Sequence, residues 1–125
     1  MKKKILLIED EQMLVELYKD KLKREKFKVI STIEAEEGIE LAKKEKPDLI
    51  LLDILLPKKN GLFFLRELKK HPEISSIPII VFSNYDDPET KREAIKLGAE
   101  EYLIKTNHTP QEVVERLKQY LSQKK

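Results

Sequence analysis

Five polar residues close four short apolar runs, and their chemistries complement one another. KILLIED ends on Glu9 and Asp10, DLILLD on Asp53, IPIIVFS on Ser83 and EYLIK on Lys105. If these runs are strands of one parallel sheet, their last residues share its carboxyl edge, where open α/β sheets bind ligands. Three carboxylates, a hydroxyl and an amine then converge. Carboxylates held together repel: two unit charges about 4 Å apart interact by roughly 4 kcal/mol at an effective dielectric near 20. A cation relieves this. Oxygen donors, no Cys and only two His favour a hard divalent ion such as Mg2+. Lys105 adds a second positive charge and Ser83 a short-range hydrogen bond. Such a set makes a receptor for a phosphoryl group, with one carboxylate attacking to form an acyl phosphate. Catalysis of that kind rests on positioning and electrostatics.

The elements that must hold these residues follow from hydrophobic periodicity. Lys4 to Ile8 is the first strand, and Asp10 stands where a helix N-cap is expected. Met13, Leu14, Leu17, Tyr18 and Leu22 then recur at helical spacing, predicting one stripe against the sheet. Phe27 to Thr32 reads as the second strand. Ala35, Gly38, Ile39 and Ala42 give the next helix a small-residue face, and Pro47 is expected to end it. Leu49 to Asp53 is apolar on both faces, as a central parallel strand should be.

A turn-rich loop from Pro57 to Gly61 leads to a third helix using Leu62, Phe64, Leu65 and Leu68, stopped by His71-Pro72. Ile77 to Ser83 is the fourth strand. Asp87-Pro88 predicts an N-cap followed by Pro at the first helical position, in a helix running to Leu97 and ending at Gly98. Tyr102 to Lys105 is the fifth strand. Thr109-Pro110-Gln111-Glu112 is a capping box, and Val113, Val114, Leu117 and Leu121 stripe the last helix. Strand and helix thus alternate five times, and right-handed crossovers place helices on both faces of a parallel sheet.

The totals agree with this layout. The chain has 125 residues, a length that suits one domain with a real core. It is 40% hydrophobic with a net charge of +2, unlike a disordered segment. That near balance argues against a nucleic-acid binder, since no basic excess exists to neutralise phosphates. Lys2 to Lys4, and Lys124 with Lys125, read as solvated ends. Without Cys there is no disulfide or thiolate chemistry. The first apolar run is too short for a signal-peptide core or a membrane span, so a soluble cytoplasmic protein is expected.

The acidic pair Glu9-Asp10, Asp53, Pro57 in DILLP, Gly61, Ser83 and GAEEYLIK with Lys105 together closely resemble the receiver domain of bacterial response regulators, the CheY-like superfamily. The resemblance covers essentially the whole chain and rests on order and spacing rather than on any one residue. It implies a doubly wound (βα)5 flavodoxin-like α/β sandwich with sheet order 2-1-3-4-5. It also implies one receiver domain over residues 1–125 with no output domain. Asp53 is then the phosphoacceptor in two-component signalling, charged by a histidine kinase or histidine phosphotransfer protein. Asp10 and Asp53 bind Mg2+ (with Mn2+ as its substitute), Glu9 helps through water or a longer reach, and the backbone carbonyl of Leu55 completes the set. Ser83 and Lys105 contact the phosphoryl oxygens. Ser83 and Tyr102 act as the switch pair, linking a local charge change to a surface change. Output passes to an unnamed protein through helix 4, strand 5 and helix 5, about residues 88–122, as a monomer or a phosphorylation-promoted homodimer. The resemblance makes the chain a signalling protein rather than an enzyme, although it catalyses its own phosphorylation and dephosphorylation.

Three departures matter. Thr106 stands where the family usually has proline after the lysine. Asn84 follows the hydroxyl where many members have a small residue. Leu55 and Tyr85 occupy the positions that tune loss of phosphate, and their apolar bulk predicts slow attack by water. Two other function classes compete. One is a receiver-fold binding module that is not phosphorylated. The other is an enzyme on a similar fold, but an aspartyl phosphatase would want a second acid at Leu55, and EDEQM after strand one repels the phosphate of a flavin.

Overall fold

The computed structural model describes residues 2–123; Lys124 and Lys125 lie outside the described residues. Five strands form one parallel sheet, β1 (Lys4–Ile8), β2 (Lys28–Thr32), β3 (Leu49–Leu52), β4 (Ile79–Ser83) and β5 (Glu101–Ile104). Five helices alternate with them: α1 (Gln12–Arg24), α2 (Ala35–Glu45), α3 (Gly61–Lys69), α4 (Pro88–Lys96) and α5 (Pro110–Gln123). The sheet order is β2-β1-β3-β4-β5, as the resemblance implied. Among the described residues, no helix is long and apolar enough to cross a membrane.

Alternation along the central strands builds two cores. Leu6, Ile8, Ile50, Leu52 and Val81 point to one side, where they meet buried residues of α2, α3 and α4 such as Ala42, Phe64 and Ala94. Ile5, Leu7, Leu51, Ile80 and Phe82 point to the other, against Tyr18 and Leu22 of α1 and Val114 and Leu117 of α5. Both faces are therefore covered, which is why β1, β3 and β4 are nearly all apolar. Small residues let α2 lie close: a Cβ on Gly38 would come within 2.7 Å of Ile8 Cδ1.

The predicted start and stop signals hold with local shifts. Thr109 Oγ1 accepts from Glu112 N at 3.1 Å and Glu112 Oε1 accepts from Thr109 N at 2.8 Å, a complete capping box. Asp87 caps α4 by accepting from Thr90 N at 3.0 Å, and Gly98 follows that helix at φ 113°. Lys46 already closes α2 in a left-handed conformation, one residue before Pro47. β2 starts at Lys28, because Phe27 N is taken by Leu22 O in the closing turn of α1. β4 starts at Ile79, after Pro78, which has no N–H to give to a ladder.

One expectation about α1 is corrected, and the alternative of Asp10 as its cap is set aside. Its buried residues are Val15, Tyr18 and Leu22, whereas Met13 is 88% exposed and Leu17 is also exposed. Met13 and Leu17 each stand two residues from Val15, which at 3.6 residues per turn puts them across the helix from it. The N-cap is Glu11, not Asp10. Asp10 sits one residue too early for that role and belongs to the sheet edge instead.

Candidate functional site

Backbone pairing beyond the strands brings the polar strand ends together. Ile8 is in register with Thr32 on one side and Leu52 on the other. The next residues extend both ladders: Glu9 N donates to Thr32 O and Asp53 N to Ile8 O, each at 3.0 Å. Across β3, Leu52 is in register with Val81, and across β4, Ser83 is in register with Ile104. Glu9, Asp10, Asp53, Ser83 and Lys105 thus all lie at the carboxyl edge. Asp53 and Lys105 fall just past their strands, Lys105 opening a single 3-10 turn, Lys105–Asn107.

The acidic cluster forms as expected. Glu9, Asp10 and Asp53 offer carboxylate oxygens that all lie within 4.8 Å of one another, with Glu9 and Asp53 buried and Asp10 exposed. Three hard oxygen donors at this separation suit a Mg2+-type ion, which accepts few protein ligands and keeps waters. Both oxygens of Glu9 already have partners, Oε1 with Lys105 and Oε2 with Glu11 N. Asp53 is engaged in the same way, through Oδ2 with Lys105 and through Oδ1 with Leu55 N, which donates at 3.2 Å and holds the carboxylate in place.

Lys105 Nζ is the positive centre of the site. It lies 2.9 Å from Glu9 Oε1, 2.9 Å from Glu11 Oε1 and 3.0 Å from Asp53 Oδ2, and stands 5.9 Å over the Phe82 ring. Burial opposes its charge, but the surrounding carboxylates outweigh that and hold the ammonium above the usual lysine range. Burial likewise pushes the Glu9 carboxyl up to about 7, against the pull of Lys105. The sequence by itself assigns Glu11 no role at the site. The EDE triplet was visible, but only the fold shows that its third member turns back onto Lys105.

Ser83 is fully buried, and its Oγ accepts from Tyr85 N at 3.2 Å. Tyr102 lies on β5, the sheet edge, with its hydroxyl on the Tyr85 carbonyl at 2.6 Å. Burial, and then the nearby charge of Asp53, push the Tyr102 hydroxyl up to about 12. Leu55 and Tyr85 are exposed side chains beside Asp53 and Ser83. Gly61 approaches this loop closely: its N donates to Ile54 O at 2.9 Å, and a Cβ there would lie 2.6 Å from Asp53 O.

Known proteins share this organisation. The chain matches the model of the response regulator receiver domain over residues 5–118. It is 36% identical over 121 residues to the alkaline phosphatase synthesis transcriptional regulatory protein PhoP of Bacillus subtilis, covering 97% of this chain and 49% of that protein. It therefore spans about half the length of that relative. A CheY-like response regulator receiver domain protein from Methanospirillum hungatei superposes with a TM-score of 0.90 at 26% identity, covering 98% of this chain and 96% of that one. The BeF3-activated N-terminal receiver domain of Klebsiella pneumoniae RstA gives 0.86 at 29% identity, covering 95% and 98%. With the sheet order and the edge cluster already in place, the chain belongs to the response regulator receiver domains of two-component systems.

Proposed function

We propose that the protein is a phosphoacceptor switch in which Asp53 receives a phosphoryl group from a histidine kinase or histidine phosphotransfer protein. The observation that carries this reading is the setting of Asp53. It is buried, shares the acidic cluster with Glu9 and Asp10, and has Lys105 Nζ at 3.0 Å. One Asp53 oxygen attacks phosphorus as the bond to the donor imidazole nitrogen breaks, and the imidazole keeps that electron pair. Lys105 offsets charge on the phosphoryl oxygens, and Ser83 donates its hydroxyl to one of them. Asp10 and Asp53, with Glu9 and the Leu55 carbonyl, would hold Mg2+ or Mn2+, which when bound neutralises charge on the transferring group.

The switch reading assigns Ser83 and Tyr102 the task of reporting phosphorylation to the face made by α4, β5 and α5. That face would engage an output protein or a second copy of the chain in the cytoplasm. Intact mass after incubation with acetyl phosphate tests the reading. A gain of one phosphoryl group that requires Mg2+ and is lost in Asp53→Asn is expected. No gain, either with acetyl phosphate or with a purified kinase as donor, would leave a binding module that is not phosphorylated.

A further inference from the structure

Three carboxylates surround Lys105 before any phosphoryl group arrives, two as hydrogen-bond acceptors, Glu11 and Asp53, and Glu9 as an ion pair. An ammonium has three N–H donors, and its three carboxylate partners, Glu9, Glu11 and Asp53, stand at 2.9, 2.9 and 3.0 Å. A phosphoryl oxygen gains Lys105 most readily where one partner gives way. The three differ in what release costs. The side chains of Glu9 and Asp53 are 2% and 5% exposed, so losing the lysine strands a carboxylate away from water. The Glu11 side chain is 58% exposed, so water replaces the amine with little penalty.

The backbone of Glu11 is meanwhile held. It caps α1, its N donates to Glu9 Oε2 at 3.0 Å, and its carbonyl accepts from Val15 N at 3.0 Å. Only its side-chain torsions need change for its carboxylate to leave Lys105. Among the described residues, that carboxylate has no other partner than Lys105.

We propose that Glu11 is a displaceable counter-ion, a positioning residue that holds Lys105 until a phosphoryl oxygen takes its place. The inference rests on Asp53 being the phosphoacceptor. Glu11 also adds a fourth carboxylate to the edge that an anionic donor must approach. Two variants separate these effects. Glu11→Gln removes the charge, whereas Glu11→Asp keeps the charge on a side chain one methylene shorter, withdrawn from Lys105. Asp is a good N-cap residue, so α1 is not put at risk.

The experiment follows phosphoryl mass gain from acetyl phosphate at fixed Mg2+, at low and high salt, for the native chain and both variants. Expected is a rate about two- to fivefold higher in Glu11→Gln, the range set by an exposed ion pair, with a smaller rise in Glu11→Asp. The dependence on salt should be weaker in Glu11→Gln. In the metal-free proteins, the Lys105 ammonium protons should exchange with water faster in both variants than in the native chain. A fast Glu11→Gln beside a native-like Glu11→Asp would mean repulsion alone and overturn the counter-ion role. Equal or slower rates in both variants would overturn it too, while phosphorylation of the native chain would leave Asp53 as acceptor. No mass gain in any of the proteins, with acetyl phosphate or with a purified kinase as donor, would overturn both readings.

Discussion

The hydroxyl of Tyr102 donates a 2.6 Å hydrogen bond to the carbonyl of Tyr85, joining the edge strand to the segment that leaves Ser83. Tyr85 in turn gives its N–H to Ser83 Oγ at 3.2 Å. The hydroxyl at the site and the aromatic ring at the edge are thus connected through one residue, Tyr85. Tyr102→Phe deletes only the terminal link. Hydrogen exchange at the amides of Asn84, Tyr85 and Asp86 should quicken, while global stability falls by no more than about 1.5 kcal/mol. Unchanged exchange in these amides would show that other contacts hold the segment.

Gly61 is set by close approach rather than by its torsion angles. A Cβ there meets Asp53 O at 2.6 Å and Ile54 Cα at 2.9 Å, both backbone atoms that cannot swing aside. Gly61→Ala should therefore push on the peptide that carries the acceptor carboxylate. Urea denaturation should register a loss of about 1–3 kcal/mol, in the range of overpacking. Phosphorylation of the variant should slow as well. A native-like midpoint would mean that the loop yields without cost.

Leu55 and Tyr85 each follow a site residue by two positions and are both exposed. As apolar bulk beside Asp53, they should hinder water on its way to an acyl phosphate. The double variant Leu55→Asn, Tyr85→Glu should lose its phosphoryl group faster once the donor is removed, as read by the decay of the phosphorylated mass. Decay at the native rate would assign the lifetime to some other feature.

Asp87 links stability to pH through a helix cap. Its carboxylate accepts from the hydroxyl and the N–H of Thr90, at 2.8 and 3.0 Å, and these bonds hold its pKa below the usual carboxylate range. A lowered folded-state pKa means that the cap stabilises fully above the unfolded value near 4, and that this is lost as pH falls through the folded value. Asp87→Ala should lower the melting temperature at neutral pH. The gap between variant and native chain should narrow as the pH drops into the acid range. A gap that stays constant with pH would mean that the bond does not depend on the charge.

Much of this was legible in one dimension. Short apolar runs read as strands because both faces of the sheet are covered, and the capping box at Thr109 and the Asp87-Pro88 start mark helices by local hydrogen bonding that needs no distant partner. The α1 stripe departs from its periodicity because Met13 and Leu17 are apolar without being buried, and periodicity alone cannot tell a core contact from an exposed flank. Strand ends shifted for local reasons, such as Pro78 having no N–H to pair.

The sequence by itself determined which groups stand at the strand ends, since Glu9, Asp10, Asp53, Ser83 and Lys105 each follow an apolar run that the sheet must bury. Only the tertiary structure decided how they share partners. Lys105 and Glu11 are 94 residues apart in the chain, and no spacing rule predicts that an exposed helix cap will turn back onto a buried amine. The same holds for Tyr102 and the Tyr85 carbonyl. Strand order and register set those distances, and they arise from packing the whole sheet at once.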